Sequence, residues 1–96
     1  MKTSSREERG KERALTLQRT LVPKADREKY FERIRRKLAH YTAAKCRFWV
    51  FEEARLPGAF IEFYEADDPE VLVQAHAAAP DKILDSNRVY LQVEIE

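Results

Sequence analysis

The strongest constraint on the fold is an aromatic stretch that runs from Cys46 to Glu65. It contains two runs rich in Phe, Trp and Tyr, separated by a short polar link that carries Pro57 and Gly58. Runs of this kind on either side of a Pro/Gly link are typical of a β-hairpin whose loop is longer than two residues. So many aromatic side chains are unfavourable in water. The remaining elements are therefore expected to pack around this hairpin.

The length of the chain, 96 residues, fits a single compact domain. Residues 1–13 are polar and carry mixed charges, with no apolar anchor after the first methionine. We expect them to form a flexible N-terminal tail, because such a segment has too little apolar surface to fold. The single domain is then predicted over residues 14–96.

Charge and cysteine content exclude several classes of protein. The 18 Lys and Arg residues nearly balance the 17 Asp and Glu residues, so the overall charge does not favour binding to nucleic acid or to an anionic membrane. Cys46 is the only cysteine, which excludes an intramolecular disulfide and a cysteine-based zinc site within one chain. No run has the length of a membrane span or the apolar core of a signal peptide. We expect a cytoplasmic protein without membrane association.

Hydrophobic periodicity predicts the elements on either side of the hairpin. Alternating leucines predict a first strand over residues 14–22, and a second alternating run predicts the last strand over residues 88–96. Apolar residues at helical spacing predict a long helix over residues 24–44. Its apolar stripe is formed by Tyr30, Ile34, Leu38 and Tyr41. We expect a solvated helix surface at the cationic run, which consists of Arg33, Arg35, Arg36 and Lys37.

A second helix is predicted after the hairpin, starting at Asp68 and Pro69. Aspartate caps the free amide groups of a helix, and proline suits the first helical position because it lacks an amide proton. The helix must end near Pro80. Its apolar side is predicted to include Leu72, Ala75, His76 and Ala79.

The element order predicts an α+β, ferredoxin-like βαββαβ fold, in which two βαβ halves are joined by the central hairpin. Right-handed crossovers place both helices on one face of a four-stranded antiparallel sheet. We expect the more apolar set of strand residues to lie under the helices. This set comprises Leu15, Leu17, Cys46, Phe48, Val50, Ala59, Ile61, Phe63, Val89, Leu91, Val93 and Ile95.

The other face of the sheet is expected to be open in a single subunit. By alternation it carries Thr16, Gln18, Thr20, Arg47, Trp49, Phe51, Phe60, Glu62, Tyr64, Tyr90, Gln92 and Glu94. An exposed aromatic patch of this size is rare on a monomer. A second copy of the chain, a nucleic acid strand or a small aromatic or otherwise apolar ligand must therefore cover it. We favour a homodimer, with an interface formed by Trp49, Phe51, Phe60 and Tyr64.

From about Leu15 to Ile95, the chain resembles the dimeric α+β barrel superfamily, and within it the antibiotic-biosynthesis-monooxygenase-like domains. The resemblance lies in the element order, the long first helix, the strands FWVFEE and GAFIEFYE, and the second helix DDPEVLVQAHAAAP. It implies a homodimer in which two sheets face each other. Some members are cofactor-independent oxygenases and others degrade haem. Of the haem-degrading residues only His76 has a counterpart here, so no haem and no other cofactor is expected.

The resemblance leaves enzyme activity open. If the protein is a monooxygenase-like enzyme, His76 would be the general base, because an imidazole titrates near neutral pH. The residues that would position an aromatic substrate are Arg47, Trp49, Tyr64 and Tyr90. The alternatives are a buried neutral histidine and aromatic packing at a dimer interface. The two histidines lack helical spacing and a paired carboxylate, so no metal site is expected.

Two non-enzymatic alternatives remain: a small-molecule-binding or assembly module, and a single-stranded RNA-binding domain. The sequence LPGAFIEF, which begins at Leu56, is similar to half of the third-strand motif of RNA-recognition domains. However, Gly58 and Thr16 stand where stacking rings are needed, and Leu56 replaces a basic residue. Nucleic acid is therefore the less favoured partner.

Overall fold

The computed structural model describes residues 12–95 and has an α+β fold, with a four-stranded antiparallel sheet and two helices. The strand order is β2-β3-β1-β4, which is compatible with the predicted ferredoxin-like arrangement. Most of the predicted tail, residues 1–11, lies outside the described residues. The elements are β1 (Ala14–Leu21), a 3₁₀ turn (Lys24–Asp26), α1 (Arg27–Ala43), β2 (Arg47–Glu52), β3 (Ala59–Ala66), α2 (Pro69–Ala78) and β4 (Tyr90–Leu91).

The hairpin between β2 and β3 has a loop over residues 53–58 that is fixed against the end of β1. The Val22 N–H donates a hydrogen bond of 2.8 Å to the Gly58 carbonyl. Gly58 has a φ of 91°, and a Cβ atom there would lie 2.6 Å from the Val22 carbonyl oxygen. Only glycine fits this backbone conformation and this close approach without strain. The sequence prediction of a hairpin with a longer loop is confirmed.

The start of α2 has the predicted cap. The Asp68 carboxylate accepts a hydrogen bond of 2.9 Å from the Glu70 N–H, and Pro69 is the first helical residue. The helix ends at Ala78, before Pro80. Within the described residues, no helix combines the length and apolarity that crossing a membrane requires.

The last strand is much shorter than predicted. β4 is limited to Tyr90–Leu91, and one further backbone hydrogen bond joins the Gln92 N–H to the Arg13 carbonyl at 3.0 Å. Beyond it, Val93 and Ile95 are exposed, so neither packs under the helices as predicted. Of the strand predicted over residues 88–96, the described residues 88–95 confirm only Tyr90–Leu91.

The faces of β1 and β3 are the reverse of the prediction. Both helices lie on the side of Tyr64, since its ring contacts Tyr41 of α1 and His76 of α2, at 4.8 and 5.3 Å between ring centroids. Side chains alternate between the two faces along each strand, so every second residue of β1 and β3 lies on the same face as Tyr64. The buried residues of β1 and β3 on this face are Ala14, Thr16, Phe60, Glu62, Tyr64 and Ala66. The prediction that Phe60 and Tyr64 lie on the open face was therefore wrong. The predicted faces of the β2 residues were correct. Phe48 pairs with Tyr64 on the helix side, and Trp49 pairs with Phe63 on the open side.

The buried stripe of α1 contains a charged residue. Tyr30 and Tyr41 are buried as predicted, but Leu38 is 49% exposed and Lys37 only 2% exposed. The prediction of a solvated surface was therefore wrong for Lys37, which points into the sheet. The reason is the Glu62 carboxylate of β3, with which the Lys37 ammonium forms an ion pair.

Candidate functional site

The open face of the sheet has an apolar centre. Its members are Leu15, Leu17, Leu21, Trp49, Phe51, Ile61 and Phe63. Trp49 stacks on Phe63 with 5.7 Å between ring centroids and 18° between ring planes, and Phe51 meets Phe63 edge-on at 5.8 Å. Trp49 is 36% exposed, Phe51 57% and Leu21 73%. The result is one continuous aromatic and aliphatic surface that faces solvent in the single chain.

Ion pairs border this apolar surface at one end. Arg47 donates hydrogen bonds to Glu65 at 2.7 Å and to Asp67 at 2.8 Å, and Arg13 also pairs with Glu65. Burial by itself would raise the pKa of the Glu65 carboxyl, but the hydrogen bonds from Arg47 and Arg13 lower it overall. Hydrogen bonds to Asp67 and Glu65 raise the pKa of Arg47. Arg47, predicted to bind substrate, is thus engaged in ion pairs.

Tyr90 also lies on the open face, opposite Leu15, and is half exposed. It lines a groove of about 230 Å³ together with Arg13, Leu15 and Glu65. This groove is at the same end as the ion pairs. Of the predicted substrate-binding residues, Arg47, Trp49 and Tyr90 therefore share one face, whereas Tyr64 lies on the other.

A larger groove of about 670 Å³ occupies the opposite end of the open face, beside the hairpin loop. Its lining residues come from the end of β1 and from the hairpin: Arg19, Thr20, Leu21, Phe51, Glu52, Glu53, Leu56, Ala59, Phe60 and Ile61. Sequence reasoning missed this groove because it depends on how the loop folds back onto β1.

The wall of the larger groove is held by Glu52. Its two carboxylate oxygens accept hydrogen bonds of 2.9 Å from Arg27, and one of them also accepts from the Gly58 N–H at 2.9 Å. The Arg27 hydrogen bonds and, after them, the Gly58 hydrogen bond lower the pKa of the Glu52 carboxyl to about 2. Glu52 is thus a fixed, ionised part of the wall with its hydrogen-bonding capacity largely used.

A buried polar network lies between the sheet and α1. The Lys37 ammonium donates to Glu62 and to the Tyr64 hydroxyl, both at 2.8 Å. The Tyr30 hydroxyl donates to Glu62 at 2.8 Å, and the Tyr64 hydroxyl donates to the same carboxylate. Burial raises the pKa of Tyr30 and of Tyr64, so both hydroxyls keep their protons. The Glu62 carboxylate therefore has donors on both oxygens, and sequence analysis had placed it on the wrong face.

His76 is buried next to this network. Burial raises the pKa of the Tyr41 hydroxyl, which shares a hydrogen bond of 2.8 Å with His76 Nδ1. The pKa of His76 falls to about 4, first because of burial and then because of the nearby His40 and Lys37. At neutral pH the ring is thus uncharged, and its Nε2 atom has no hydrogen-bond partner among residues 12–95.

The sheet separates His76 from the predicted substrate-positioning residues Trp49 and Tyr90. His76 contacts Tyr64 and Tyr41 under the helices, while Trp49 and Tyr90 lie on the open face. Within residues 12–95, no group of three or more His, Cys, Asp and Glu side chains is arranged to hold a metal ion. The open face and its larger groove are where exposed aromatic and aliphatic side chains of the sheet can meet another molecule.

No protein-family model, curated protein or solved structure matches the chain.

Proposed function

We propose that the protein is a homodimer of the dimeric α+β barrel kind, in which the open sheet faces of two subunits pack together and enclose a small apolar ligand. The supporting observation is the side of the sheet on which the apolar residues lie. The side that faces away from the helices carries the leucines of β1 together with Trp49, Phe51, Ile61 and Phe63, whereas the covered side combines aromatic rings with a buried ion pair. At roughly 25 cal/mol per Å², burying this apolar surface stabilises an assembly by several kcal/mol.

The dimensions of the sheet fit such an interface. β1 and β3 each have eight residues, and four strands lie side by side. β2 has six residues and β4 two, so at about 3.4 Å per residue and about 4.8 Å per strand the footprint is roughly 400 Å² in projection. This is about half of the roughly 800 Å² per subunit of an ordinary stable interface, and the accessible area of the side chains adds to the projected area.

The distribution of charge on the open face also favours a subunit interface. Apolar side chains fill the centre apart from Arg19, and the ion pairs of Arg47 with Glu65 and Asp67 lie at its border. An apolar centre with a polar rim is the usual composition of a stable protein interface. A face designed to remain in water would show the opposite pattern.

Binding is favoured over catalysis by the position and the state of His76. A base that abstracts a proton must reach the substrate, and a pKa of about 4 makes the imidazole a weak base. An oxygenase reaction on a substrate held by Trp49 and Tyr90 would need a base on the open face. The proposed role is therefore ligand binding by a dimer, with monooxygenase-like activity as the alternative to be tested by oxygen consumption.

The test is sedimentation equilibrium at micromolar concentration, with two matched variants. Phe51 and Leu38 are both exposed apolar residues, at 57% and 49%, but only Phe51 is on the open face. The wild type and Leu38→Glu should sediment as dimers, and Phe51→Glu as a monomer, because a carboxylate that replaces a buried ring within the interface loses its hydration. A monomeric wild type, or a Phe51→Glu variant that remains dimeric, would contradict the proposal.

Single-stranded RNA binding is the second candidate, because Trp49, Phe51 and Phe63 place rings on the surface of the sheet. Fluorescence anisotropy with a labelled RNA oligomer separates the two functions. The dimer proposal predicts no salt-dependent binding. Tight binding that weakens with salt and is lost in Phe51→Ala would favour RNA as the occupant of the face.

A further inference from the structure

The cation Arg19 lies within the apolar part of the open face. Leu17 and Leu21 are its neighbours on the same side of β1, and Ile61 is opposite it on β3. Its side chain is exposed and makes no hydrogen bond or ion pair with any of residues 12–95. A guanidinium group has five donors in a planar fork that match a carboxylate. Its position among apolar neighbours points to an anionic group supplied from outside residues 12–95.

The groove that Arg19 lines has the size and composition of a small-molecule site. Its volume of about 670 Å³ falls within the roughly 300–1,000 Å³ of typical ligand pockets. The apolar part of its wall is formed by Leu21, Phe51, Leu56 and Ile61. A groove with one cation and mostly apolar walls fits a ligand that has one anionic end and an apolar body.

Backbone hydrogen bonds of the hairpin loop fix the wall of the groove. Hydrogen bonds within the loop join Leu56 N–H to Glu53 carbonyl at 3.2 Å and Ala59 N–H to Leu56 carbonyl at 3.0 Å. The Gly58 contact with Val22 fixes the same loop against β1. Because these hydrogen bonds fix the wall, a ligand loses little of its binding free energy in arranging it.

We propose that this groove binds a small monocarboxylic acid, with its carboxylate on the Arg19 guanidinium and its alkyl or aryl body along Phe51 and Ile61. This inference rests on the ligand-binding part of the proposed function and names the ligand class. A guanidinium–carboxylate pair forms two parallel charge-assisted hydrogen bonds, which fix orientation as well as charge.

The acidic residues of the groove are compatible with one carboxylate and not with two. Glu52 is already paired with Arg27. Glu53 directly follows β2, which is separated by β3 from β1, the strand that carries Arg19. The Glu53 N–H donates to the Ala59 carbonyl, two residues before Ile61, which is the residue opposite Arg19. Strand spacings put the Glu53 and Arg19 Cα atoms about 12 Å apart. Glu53 therefore leaves Arg19 available and repels a second carboxylate at the other end of the ligand.

The test compares ten-carbon probes that differ only in their head group: decanoate, decanol and decylamine, with decanedioate as the dicarboxylate. Trp49, the only tryptophan, reports binding by its fluorescence, and calorimetry gives the affinity. Decanoate should bind about tenfold or more tightly than decylamine or decanedioate. Arg19→Gln should weaken decanoate by about tenfold or more and leave decanol within about twofold.

Arg55 provides the matched control, because it is exposed on the same loop and does not line the groove. Arg55→Gln should leave decanoate affinity within about twofold, and Glu53→Gln should improve the binding of decanedioate. Equal binding of decanoate and decylamine, or an Arg19→Gln variant with unchanged decanoate affinity, would overturn the ligand assignment.

Sedimentation of the same samples separates this inference from the proposed dimer. Decanoate binding that depends on Arg19 in a monomeric wild type supports the ligand class and refutes the enclosed dimer. A dimer that does not distinguish the head groups refutes the ligand class alone. An Arg19→Gln variant that dissociates without losing decanoate affinity assigns Arg19 to the subunit interface, which overturns the inference.

Discussion

The pair of Lys37 and Glu62 is the most demanding interaction in the interior, because both side chains are nearly inaccessible to solvent. Removing two charges from water costs several kcal/mol for each ion, and the pair offsets this only with good geometry and further hydrogen bonds. Tyr30 and Tyr64 supply those hydrogen bonds. Since Lys37 belongs to α1 and Glu62 to β3, the pair also fixes which side of α1 faces the sheet.

Replacing Lys37 by methionine should lower the free energy of unfolding by about 3–5 kcal/mol, because Glu62 is left buried without its counter-charge. Urea denaturation measures the change. Lys29→Met, at an exposed position of the same helix, should change stability by no more than about 0.5 kcal/mol. The double variant Lys37→Met/Glu62→Leu should be more stable than Lys37→Met. A cost below about 1 kcal/mol for Lys37→Met alone would contradict the buried pair.

His76 should make stability depend on pH between about 6.5 and 4. Its pKa is about 4 in the folded chain and about 6.5 in an unfolded one. As pH falls through this interval the unfolded chain binds a proton that the folded chain does not, so stability decreases. The loss between pH 7 and pH 5 is about 2 kcal/mol. Urea midpoints at fixed protein concentration should show this loss of stability in the wild type and a much smaller loss in His76→Gln. An equal loss in both proteins would exclude His76 as the cause of the pH dependence.

At the level of elements, local sequence signals were sufficient for most of the fold. The alternation of β1, the helical stripe of α1 and the Pro/Gly loop of the hairpin each act within a few residues, as does the Asp68 cap of α2. Pairing between distant segments was not predictable in the same way. The Gln18 side chain accepts a 2.8 Å hydrogen bond from the Leu84 N–H. This contact holds the connector beside β1, where residues 87–89 would pair in a longer β4, whereas residues 93–95 extend past Ala14, the first residue of β1.

The reversed faces have a related cause. Alternation tells which residues share a face, but a shift of one residue in pairing moves a whole strand to the other face. The six-residue loop over residues 53–58 aligns Phe48 with Tyr64 and so sets this parity. The helix-covered side was then decided by partners on other elements, Lys37 for Glu62 and His76 beside Tyr64. Choosing the more apolar set as the core fails when the core contains a polar network.

At the scale of the whole molecule, the sheet carries large apolar side chains on both sides. Under the helices, Tyr41, Tyr64 and Leu72 are fully buried. The open side carries aliphatic and aromatic side chains, such as those of Leu17 and Ile61, that both helices leave uncovered. A domain of this size has little stability to spare when part of its apolar surface stays in water. Folding and association of this chain are therefore expected to be coupled.

Coupling of this kind makes the unfolding temperature depend on protein concentration. If a dimer unfolds to two separate chains, each tenfold increase in concentration stabilises the folded state by about 1.4 kcal/mol, because association follows mass action. For an assembly of two such chains this raises the midpoint by about 3–6 °C. Differential scanning calorimetry over a hundredfold range of concentration measures the shift.

The Leu38→Glu variant should show the same dependence of the unfolding temperature on concentration, whereas Phe51→Glu should unfold at a lower temperature that does not change with concentration. A constant wild-type midpoint over that range would mean that the open face stays wet in the stable fold, and the apolar residues on it would then need another partner.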